Sequence, residues 1–247
     1  MRWSWAAASS IGTSHVRTGG RCDDAHRCLE VDGTLVAIVS DGAGSAPRGA
    51  QGAALVCRTL ALEFAAALRL WGMPSDDAVE AAFDRARDRI AHAASLSGLT
   101  MRDFAATSVA VLAGADETVV AHVGDGAAAV READGSWRAA SWPAAGEFAG
   151  TTFFVTDDGG ARLRIARLGV PVAQLAVLTD GLERLALSFA GDQAHAPFFE
   201  GMMRPLAARE SAGRSAEVSA MLRSYLGSEA VCSRTDDDKT LVLARRL

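Results

Sequence analysis

The stretch that organises the chain is residues 35–56, LVAIVSDGAGSAPRGAQGAALV. Residues 35–39 are apolar and rich in β-branched side chains, which predicts a strand buried on both faces. The strand ends at Asp41-Gly42, and a small-residue turn then leads into a helix that begins near Pro47. A carboxylate at this position is held on a rigid support, and the glycine lets a ligand approach the main chain closely. Taken alone, however, Asp-Gly is more often an ordinary turn.

Acidic residues recur at the ends of other apolar strands. They are Asp23-Asp24, Asp125, Asp180 and the run Asp236–Asp238. Turn chemistry explains each of them singly, but it does not predict acidic residues at the ends of five strands. Carboxylates gathered at one end of a sheet repel one another, and oxygen-bound divalent cations relieve that repulsion. The recurrence therefore predicts a metal site.

The order of these acidic motifs resembles that of the metal-dependent type 2C (PPM) serine/threonine protein phosphatases, over nearly the whole chain. The motifs are Asp23-Asp24-Ala25-His26, Ser40-Asp41-Gly42, Val123-Gly124-Asp125, Thr179-Asp180-Gly181 and Asp237-Asp238-Lys239-Thr240. A bacterial subgroup is indicated by Gly12-Thr13-Ser14-His15, residues 41–46 and Gly146-Glu147-Phe148. Each motif is weak alone, but five in order are fairly specific.

The resemblance implies hydrolysis of phosphoserine and phosphothreonine in proteins by a metal-bridging water or hydroxide. It implies two divalent cations, Mg²⁺ or Mn²⁺, and a weaker third. Asp41 would bridge the two cations, with the Gly42 carbonyl on one of them, and Asp180 and Asp237 would hold the other. The remaining assignments are Asp24 and Asp23 close by, partly through water, and Asp125 at the third site. The implied catalytic residues are Asp24, Asp41, Asp180 and Asp237.

Two departures from the family pattern concern the substrate phosphate and the acid. The family often places a phosphate-binding arginine shortly before the acidic pair, where this chain has His15, Arg17 and Arg21. Arg21 offers a bidentate fork for phosphate, whereas His15 has the better spacing from the preceding glycine. Some members carry a histidine acid where this chain has Ala43, so His26 or a metal-bound water would have to donate the proton.

Length and composition bound the remaining alternatives. The 247 residues contain no linker or internal repeat, so we expect one type 2C-like domain over residues 1–247. A net charge of −5 argues against nucleic acid or an anionic membrane surface as a partner. No apolar window is long enough for a signal peptide or a membrane span. The four cysteines form no C-x-x-C pair, so reduced cysteines in a cytoplasmic protein are expected, and we expect a monomer.

The order of predicted elements indicates the fold class. Strands are predicted at residues 3–11, 29–31, 35–39, 107–112, 118–123, 127–131, 151–155, 163–166, 174–179 and 240–244. Helices are predicted at residues 48–70 and 75–95 and, as two or three pieces, within 183–227. Because the order does not alternate strand and helix, we predict an α+β fold of two packed antiparallel β-sheets flanked by α-helices, in α-β-β-α layers. The family resemblance implies the same fold.

A rival interpretation keeps the fold but removes the turnover. The changed arginine position and Ala43 are compatible with a catalytically weak module that binds phosphoproteins or a partner kinase. The intact Asp41, Asp180 and Asp237 favour the enzyme, because a module without catalysis has no need of mutually repelling carboxylates. For the enzyme, a phosphoprotein substrate and a cognate serine/threonine kinase are the expected partners.

Overall fold

The structure is a computed structural model that describes residues 2–132, 134–144 and 152–247. Its strands are β1 (Trp3–Ser10), β2 (Ala25–Val31), β3 (Thr34–Ser40), β4 (Ser108–Ala113), β5 (Thr118–Val123), β6 (Ala127–Arg131), β7 (Trp137–Ser141), β8 (Arg164–Leu168), β9 (Gln174–Leu178), β10 (Leu187–Ser188), β11 (Gln193–Ala194), β12 (Gly213–Arg214) and β13 (Lys239–Arg246). Its α-helices are α1 (Thr13–Arg17), α2 (Gly49–Trp71), α3 (Asp76–Leu96), α4 (Glu183–Ala186), α5 (Ala196–Ala207), α6 (Ala216–Leu226) and α7 (Glu229–Cys232).

Two large sheets form the centre of the molecule. One has the strand order β12-β1-β13-β9-β6-β7, and the other has the order β2-β3-β4-β5-β8. The β3–β4 pair is antiparallel with Leu35 opposite Ala113, and the β9–β13 pair is antiparallel with Leu178 opposite Leu241. The two-residue strand β12 is an exception, since it pairs parallel with β1.

Three apolar clusters place the layers. One lies between the sheets and includes Leu35, Val39, Val177 and Val242. A second joins the five-stranded sheet to α2 and α3, and a third joins the six-stranded sheet to α5 and α6. Strands such as β3 are covered on both faces, which explains their continuous apolar sequence. The predicted α-β-β-α arrangement is confirmed.

Local sequence signals explain several element boundaries. Asp32 and Gly33 both have positive φ, 48° and 80°, as a two-residue hairpin turn of this hand requires. Ser75 caps α3, and its side chain accepts a hydrogen bond from the backbone N–H of Ala78. Both sequence patterns favour these local structures, and they set the entry of β3 and α3 into the fold.

The prediction failed in the segment after β6. The predicted strand over residues 151–155 is wrong for residues 152–155, which form no strand, and Thr151 lies outside the described residues. The segment is instead held by single hydrogen bonds, from Val155 N to the Ala106 carbonyl and from Arg87 to the Val155 carbonyl. Strand β7 was not predicted, because its sequence WRAAS carries little apolar signal. Gly146-Glu147-Phe148 also lies outside the described residues.

Among the helices in the described part of the chain, none is both long enough and apolar enough to cross a bilayer.

Candidate metal centre

Asp41 is fixed by its main chain at the end of β3. Its backbone N–H donates to Thr107 Oγ1 at 3.1 Å, and its carbonyl accepts from Thr107 N at 2.8 Å. The glycine that follows has a packing reason, since a Cβ on Gly42 would overlap the carbonyl of Gly49. The tight crossing of Gly42 and Gly49 brings the start of α2 against the loop and leaves the Asp41 side chain partly exposed.

Three carboxylates converge next to this loop. Asp41, Asp125 and Asp180 each offer one oxygen, and these oxygens lie within 4.8 Å of one another. They come from the ends of β3, β5 and β9, so the convergence joins the two sheets. The resemblance assigned Asp125 to a weaker third site, whereas the structure puts it in the same group as Asp41 and Asp180.

Asp180 and Asp237 are brought together by the pairing of β9 with β13. Both line one cavity of about 230 Å³. Asp237 is exposed and contributes no oxygen to the group of three carboxylates found among the described residues. Its main chain is held by the chain's only lysine, because Lys239 is fully buried and its Nζ donates to the Asp237 carbonyl at 2.9 Å.

Asp24 lies beside the group of three carboxylates, directly before β2 at one edge of the five-stranded sheet. Its Oδ2 accepts a hydrogen bond from Thr179 Oγ1 at 2.8 Å, while its buried Oδ1 has no partner among the described residues. The Oδ1 atom of Asp125 is buried and unpartnered in the same way. Asp23 is less enclosed, and its carbonyl accepts from Gly42 N at 3.2 Å. Two buried carboxylate oxygens thus lack the partner that such atoms normally have.

The electrostatics of the group follow from burial and mutual repulsion. Burial, with the charges of Asp24 and Asp180 next, raises the pKa of Asp41 well above its ordinary value. Burial and the charge of Asp125 raise the pKa of Asp180 to about 8, and burial raises that of Asp24 to about 7. Burial also raises the pKa of Asp125. The protein alone therefore does not stabilise these carboxylates in their charged form.

The loop before Asp23 is assembled around a buried carboxylate, that of Asp238. Only 2% of Asp238 is exposed, and it accepts hydrogen bonds from the backbone N–H of Gly12 at 2.6 Å and of Asp23 at 2.5 Å. The Nδ1 atom of His15 lies 3.0 Å from Asp238 Oδ2. The other ring nitrogen, Nε2, faces the Asp41–Ser45 loop, 3.6 Å from where a Cβ on Gly44 would lie.

The other predicted phosphate ligands are less constrained. Arg17 forms an ion pair with Asp236 at 2.9 Å, in which both side chains are 65% exposed. Arg21 lies 3.8 Å from Asp23 and is also exposed. Exposed pairs of this kind contribute little stability, so both guanidinium groups are free to change partner.

His26 lies outside the cavities that adjoin the carboxylates. Its Nδ1 lies 2.9 Å from Ser9 Oγ, which accepts from Thr240 Oγ1 at 2.7 Å. Thr240 N in turn donates to Thr179 Oγ1 at 3.0 Å, so hydrogen bonds link the ring indirectly to Asp24. Burial, with the charge of Arg27 next, lowers the pKa of His26 to about 4.

Some residues at the site were missed by the sequence analysis. Glu183 lines the cavity with Asp180, and burial and the charge of Asp125 raise its pKa. Glu183 is the first residue of α4 and lies three residues after Asp180, and this position could have predicted that it lies at the site. The support given by Thr107 and Asp238 comes from distant parts of the chain, and no local pattern indicates it.

The donor set fits a divalent metal ion. Carboxylate oxygens are the hard ligands that Mg²⁺, Mn²⁺ and Ca²⁺ take in proteins. Three of them converge within 4.8 Å, and Asp24 and Asp125 each have a buried oxygen without a partner among the described residues. A cation would satisfy these atoms and offset both the burial and the repulsion that raise the pKa values.

The family model described as protein phosphatase 2C matches residues 11–226. Serine/threonine-protein phosphatase 3 from Escherichia coli (strain K12) is 33% identical over 253 residues, covering 99% of this chain and 98% of that protein.

Two solved structures share the fold at lower identity. One is that of PppA, a key regulatory component of T6SS in Pseudomonas aeruginosa, with a TM-score of 0.68 and 19% identity over 100% of this chain and 99% of that one. The other is the serine/threonine phosphatase Stp1 from Staphylococcus aureus, with a TM-score of 0.66 and 17% identity over 98% and 94%. From the family match and the E. coli relative together, this chain belongs to the protein phosphatase 2C family.

Proposed function

We propose that the protein hydrolyses phosphoserine and phosphothreonine in other proteins, with Mg²⁺ or Mn²⁺ as the cofactor. The observation that carries the proposal is the convergence of Asp41, Asp125 and Asp180, with their oxygens within 4.8 Å. The printed name of the E. coli relative supports the same reaction and substrate class.

The residues that would hold the cations are those at the strand ends. Asp41, with the Gly42 carbonyl, would serve both cations, and Asp180 and Asp237 would hold one of them. Asp24 and Asp23 would act close by, partly through water, and Asp125 would bind a weaker third cation or share the Asp41 group. When bound, such cations make a water molecule acidic enough to ionise near neutral pH and neutralise charge on the phosphoryl oxygens.

His15 is the residue that we propose contacts the substrate phosphate. Asp238 Oδ2 accepts a hydrogen bond from Nδ1–H of His15, and this fixes the ring and leaves Nε2 directed at the Asp41–Ser45 loop. From that position Nε2 can exchange a proton or a hydrogen bond with a phosphate oxygen. Arg21 is the second candidate, since its ion pair with Asp23 is long at 3.8 Å and its own side chain is exposed. Arg17 is the weakest, because Asp236 already engages it.

The general acid, either His26 or a metal-bound water, remains a prediction from the sequence. With a pKa lowered to about 4, His26 is a neutral imidazole at pH 7 and carries no extra proton to donate. Full turnover by a His26→Ala variant at pH 7 would refute the assignment of His26 as the acid.

A cleft beside the Asp41 loop is suited to the polypeptide around the phosphorylated residue. Its volume is about 610 Å³, and it is lined by Ser45, Pro47, Arg102, Phe154 and Asp157, among others. The segment that forms its wall is held by Arg87, which donates to the carbonyls of Val155 and Asp157.

We also propose a cognate kinase as partner, a monomeric state and a cytoplasmic location.

The proposal is tested by hydrolysis of a phosphoserine peptide and of p-nitrophenyl phosphate in Mn²⁺, with and without a chelator. We expect turnover in Mn²⁺ and none after chelation. Activity that survives complete chelation contradicts the metal dependence. Saturable phosphopeptide binding with no turnover in Mn²⁺ or Mg²⁺ would instead favour the catalytically weak binding module.

A further inference from the structure

A buried hydroxyl group, that of Thr179, lies at the point where β9 ends next to the metal centre. Only 1% of Thr179 is exposed, and Thr179 directly precedes Asp180. Its backbone N–H donates to the carbonyl of Thr240 at 3.2 Å, which continues the antiparallel pairing of β9 with β13 by one residue. The return hydrogen bond of this pair runs to the side chain, because Thr240 N–H donates to Thr179 Oγ1 at 3.0 Å. The hydroxyl therefore takes a position in the sheet ladder.

This use of the side chain leaves the main-chain carbonyl of Thr179 available for the turn that carries Asp180. The carbonyl accepts a hydrogen bond from Leu182 N–H at 3.2 Å, in the 3₁₀ turn Asp180–Leu182. A threonine directly before a helical turn often accepts a hydrogen bond from a backbone N–H of that turn, but the Thr179 side chain makes no such bond. Its oxygen is instead engaged by the neighbouring strand.

The proton of the same hydroxyl is directed at a carboxylate beside the other sheet. Thr179 Oγ1 donates to Asp24 Oδ2 at 2.8 Å, although 155 positions separate the two residues in the chain. A hydroxyl has one proton, and the N–H that Thr240 donates to the oxygen leaves that proton free for Asp24. The other oxygen of Asp24, Oδ1, is buried and has no partner among the described residues. One oxygen of Asp24 is thus anchored by Thr179, and the second is available to a ligand from outside the chain.

We propose that Thr179 is a positioning residue for the metal centre, whose hydroxyl holds the Asp24 carboxylate with Oδ1 available to the cations, directly or through water. This role rests on the proposed function, because it takes the strand ends as a site for Mn²⁺ or Mg²⁺. One hydroxyl then fixes a carboxylate beside the five-stranded sheet and, through the ladder, the turn of Asp180 on the six-stranded sheet. Thr179→Ser keeps this hydroxyl, whereas Thr179→Val keeps the branched shape but removes both the donor and the acceptor.

The test is calorimetric titration of Mn²⁺ into the full-length protein and its variants, in the absence of substrate. Thr179→Val should weaken Mn²⁺ binding about tenfold, the scale of one hydrogen bond to a charged group. Thr179→Ser should stay within about twofold of wild type, because it retains the donor and the acceptor. Thr179→Cys, whose thiol is a weaker donor, should lose affinity in the same direction, and it replaces Thr179→Val if that variant does not fold.

The matched control is Thr118→Val, which removes a buried hydroxyl far from the metal centre. Thr118 is fully buried at the start of β5, at the opposite end of that strand from Asp125, and its Oγ1 has no partner among the described residues. Its replacement should leave the Mn²⁺ affinity unchanged.

A double-mutant cycle distinguishes positioning from a general loss of structure. If Thr179 acts through Asp24, Thr179→Val should weaken Mn²⁺ binding by less than about twofold in a protein that already carries Asp24→Ala. A purely structural role predicts the same loss with and without Asp24→Ala.

Unchanged Mn²⁺ affinity in Thr179→Val or its replacement, an equal loss in Thr179→Ser, or an equal loss in both backgrounds of the cycle would each overturn this role for Thr179. These results would leave the proposed metal dependence intact, since wild type would still bind Mn²⁺. Absence of Mn²⁺ binding by wild type would overturn the role of Thr179 together with the proposed metal dependence.

Discussion

The middle and the end of the same strands follow opposite physical rules. Between the sheets, Leu35 and Val39 on β3 meet Val177 on β9 in an apolar cluster that is at most 1% exposed at these positions. Just beyond the last residue of each strand, Asp41 and Asp180 bring carboxylate oxygens within 4.8 Å of each other. Burial stabilises the first region by removing apolar surface from water, and it destabilises the second by desolvating charge.

The difference shows that stability comes from the apolar cluster between the sheets and that function depends on the strand ends. The cluster between the sheets holds the backbone rigid without help from any ligand. The strand ends use that rigidity to keep carboxylates together, and burial, with the charges of the neighbouring carboxylates next, raises the pKa values of Asp41 and Asp180. Changes in the middle of a strand should therefore lower stability without altering the site, and changes at its end should alter the site without lowering stability.

The largest effect should come from Asp41→Asn, which removes one charge from the group of three carboxylates. We expect turnover in saturating Mn²⁺ to fall by about 10³-fold, the scale of losing a major electrostatic contribution in an active site. The control is Asp236→Asn, since Asp236 is exposed and lies beside Asp237 but outside the group. A similar loss in both variants would show that general charge matters rather than the group.

The next effect belongs to the middle of the strand. Leu35→Ala should lower the free energy of unfolding by about 2–5 kcal/mol, because Leu35 is fully buried and its truncation leaves a cavity. Its metal affinity should stay within about twofold of wild type. The control Leu62→Ala, on an exposed position of α2, should change stability by less than about 0.5 kcal/mol. Urea unfolding measures the free energy of unfolding, and calorimetry measures the metal affinity. A large loss of metal affinity in Leu35→Ala would show that the middle of the strand and the metal site are not independent.

A smaller effect concerns pH in the absence of metal. In the folded protein the pKa of Asp180 is about 8 and that of Asp24 about 7, above those of unfolded aspartate near 4. The folded state therefore binds more protons over this range, so stability should fall as pH rises from about 4 to about 8. Asp180→Asn should flatten this slope and melt a few degrees above wild type at pH 8 in chelator. A wild-type melting temperature that rises over the same range would contradict the raised pKa values.

The smallest effect separates positioning from metal binding. With its amide oxygen in the place of Oδ1, Asp238→Asn should keep the hydrogen bond from Gly12 N–H but lose the acceptor for Asp23 N–H and His15 Nδ1, so we expect turnover to fall about tenfold and the pH–rate profile to change. Mn²⁺ affinity should be unchanged. The double variant, which combines Asp238→Asn with His15→Ala, should lose no more turnover than the worse of the two single variants, because the two residues act as one unit. Additive losses would show that Asp238 acts independently of His15.

The sequence predicted those parts of the fold that depend on local pattern. The apolar run of β3, the Asp32-Gly33 turn and the Ser75 cap each contain their own signal within a few residues. Strand β7 lies at a sheet edge, and its sequence lacks such a signal. The aromatic and β-branched residues of the 152–155 segment favour a strand, but tertiary contacts override that preference.

The site was predictable only as a set of acidic strand ends. Their convergence follows from the packing of two sheets, which the order of elements and the family resemblance both indicated. The sequence did not reveal that Asp125 shares a group with Asp41 and Asp180, or that Asp238 ties Gly12, His15 and Asp23 together. Those relations join residues up to 226 positions apart, and only the folded chain brings them into contact.

We infer that the strand ends bind a divalent cation at the expense of stability. Calorimetric titration of Mn²⁺ into wild type and Asp180→Asn, with thermal melts of both in chelator and in Mn²⁺, tests this inference. We predict saturable binding and a rise in melting temperature with Mn²⁺ for wild type, because a ligand of the folded state stabilises it. Asp180→Asn should bind Mn²⁺ at least about tenfold more weakly and melt no lower than wild type in chelator. Normal Mn²⁺ binding by Asp180→Asn, or a melting temperature in chelator far below that of wild type, would contradict the account.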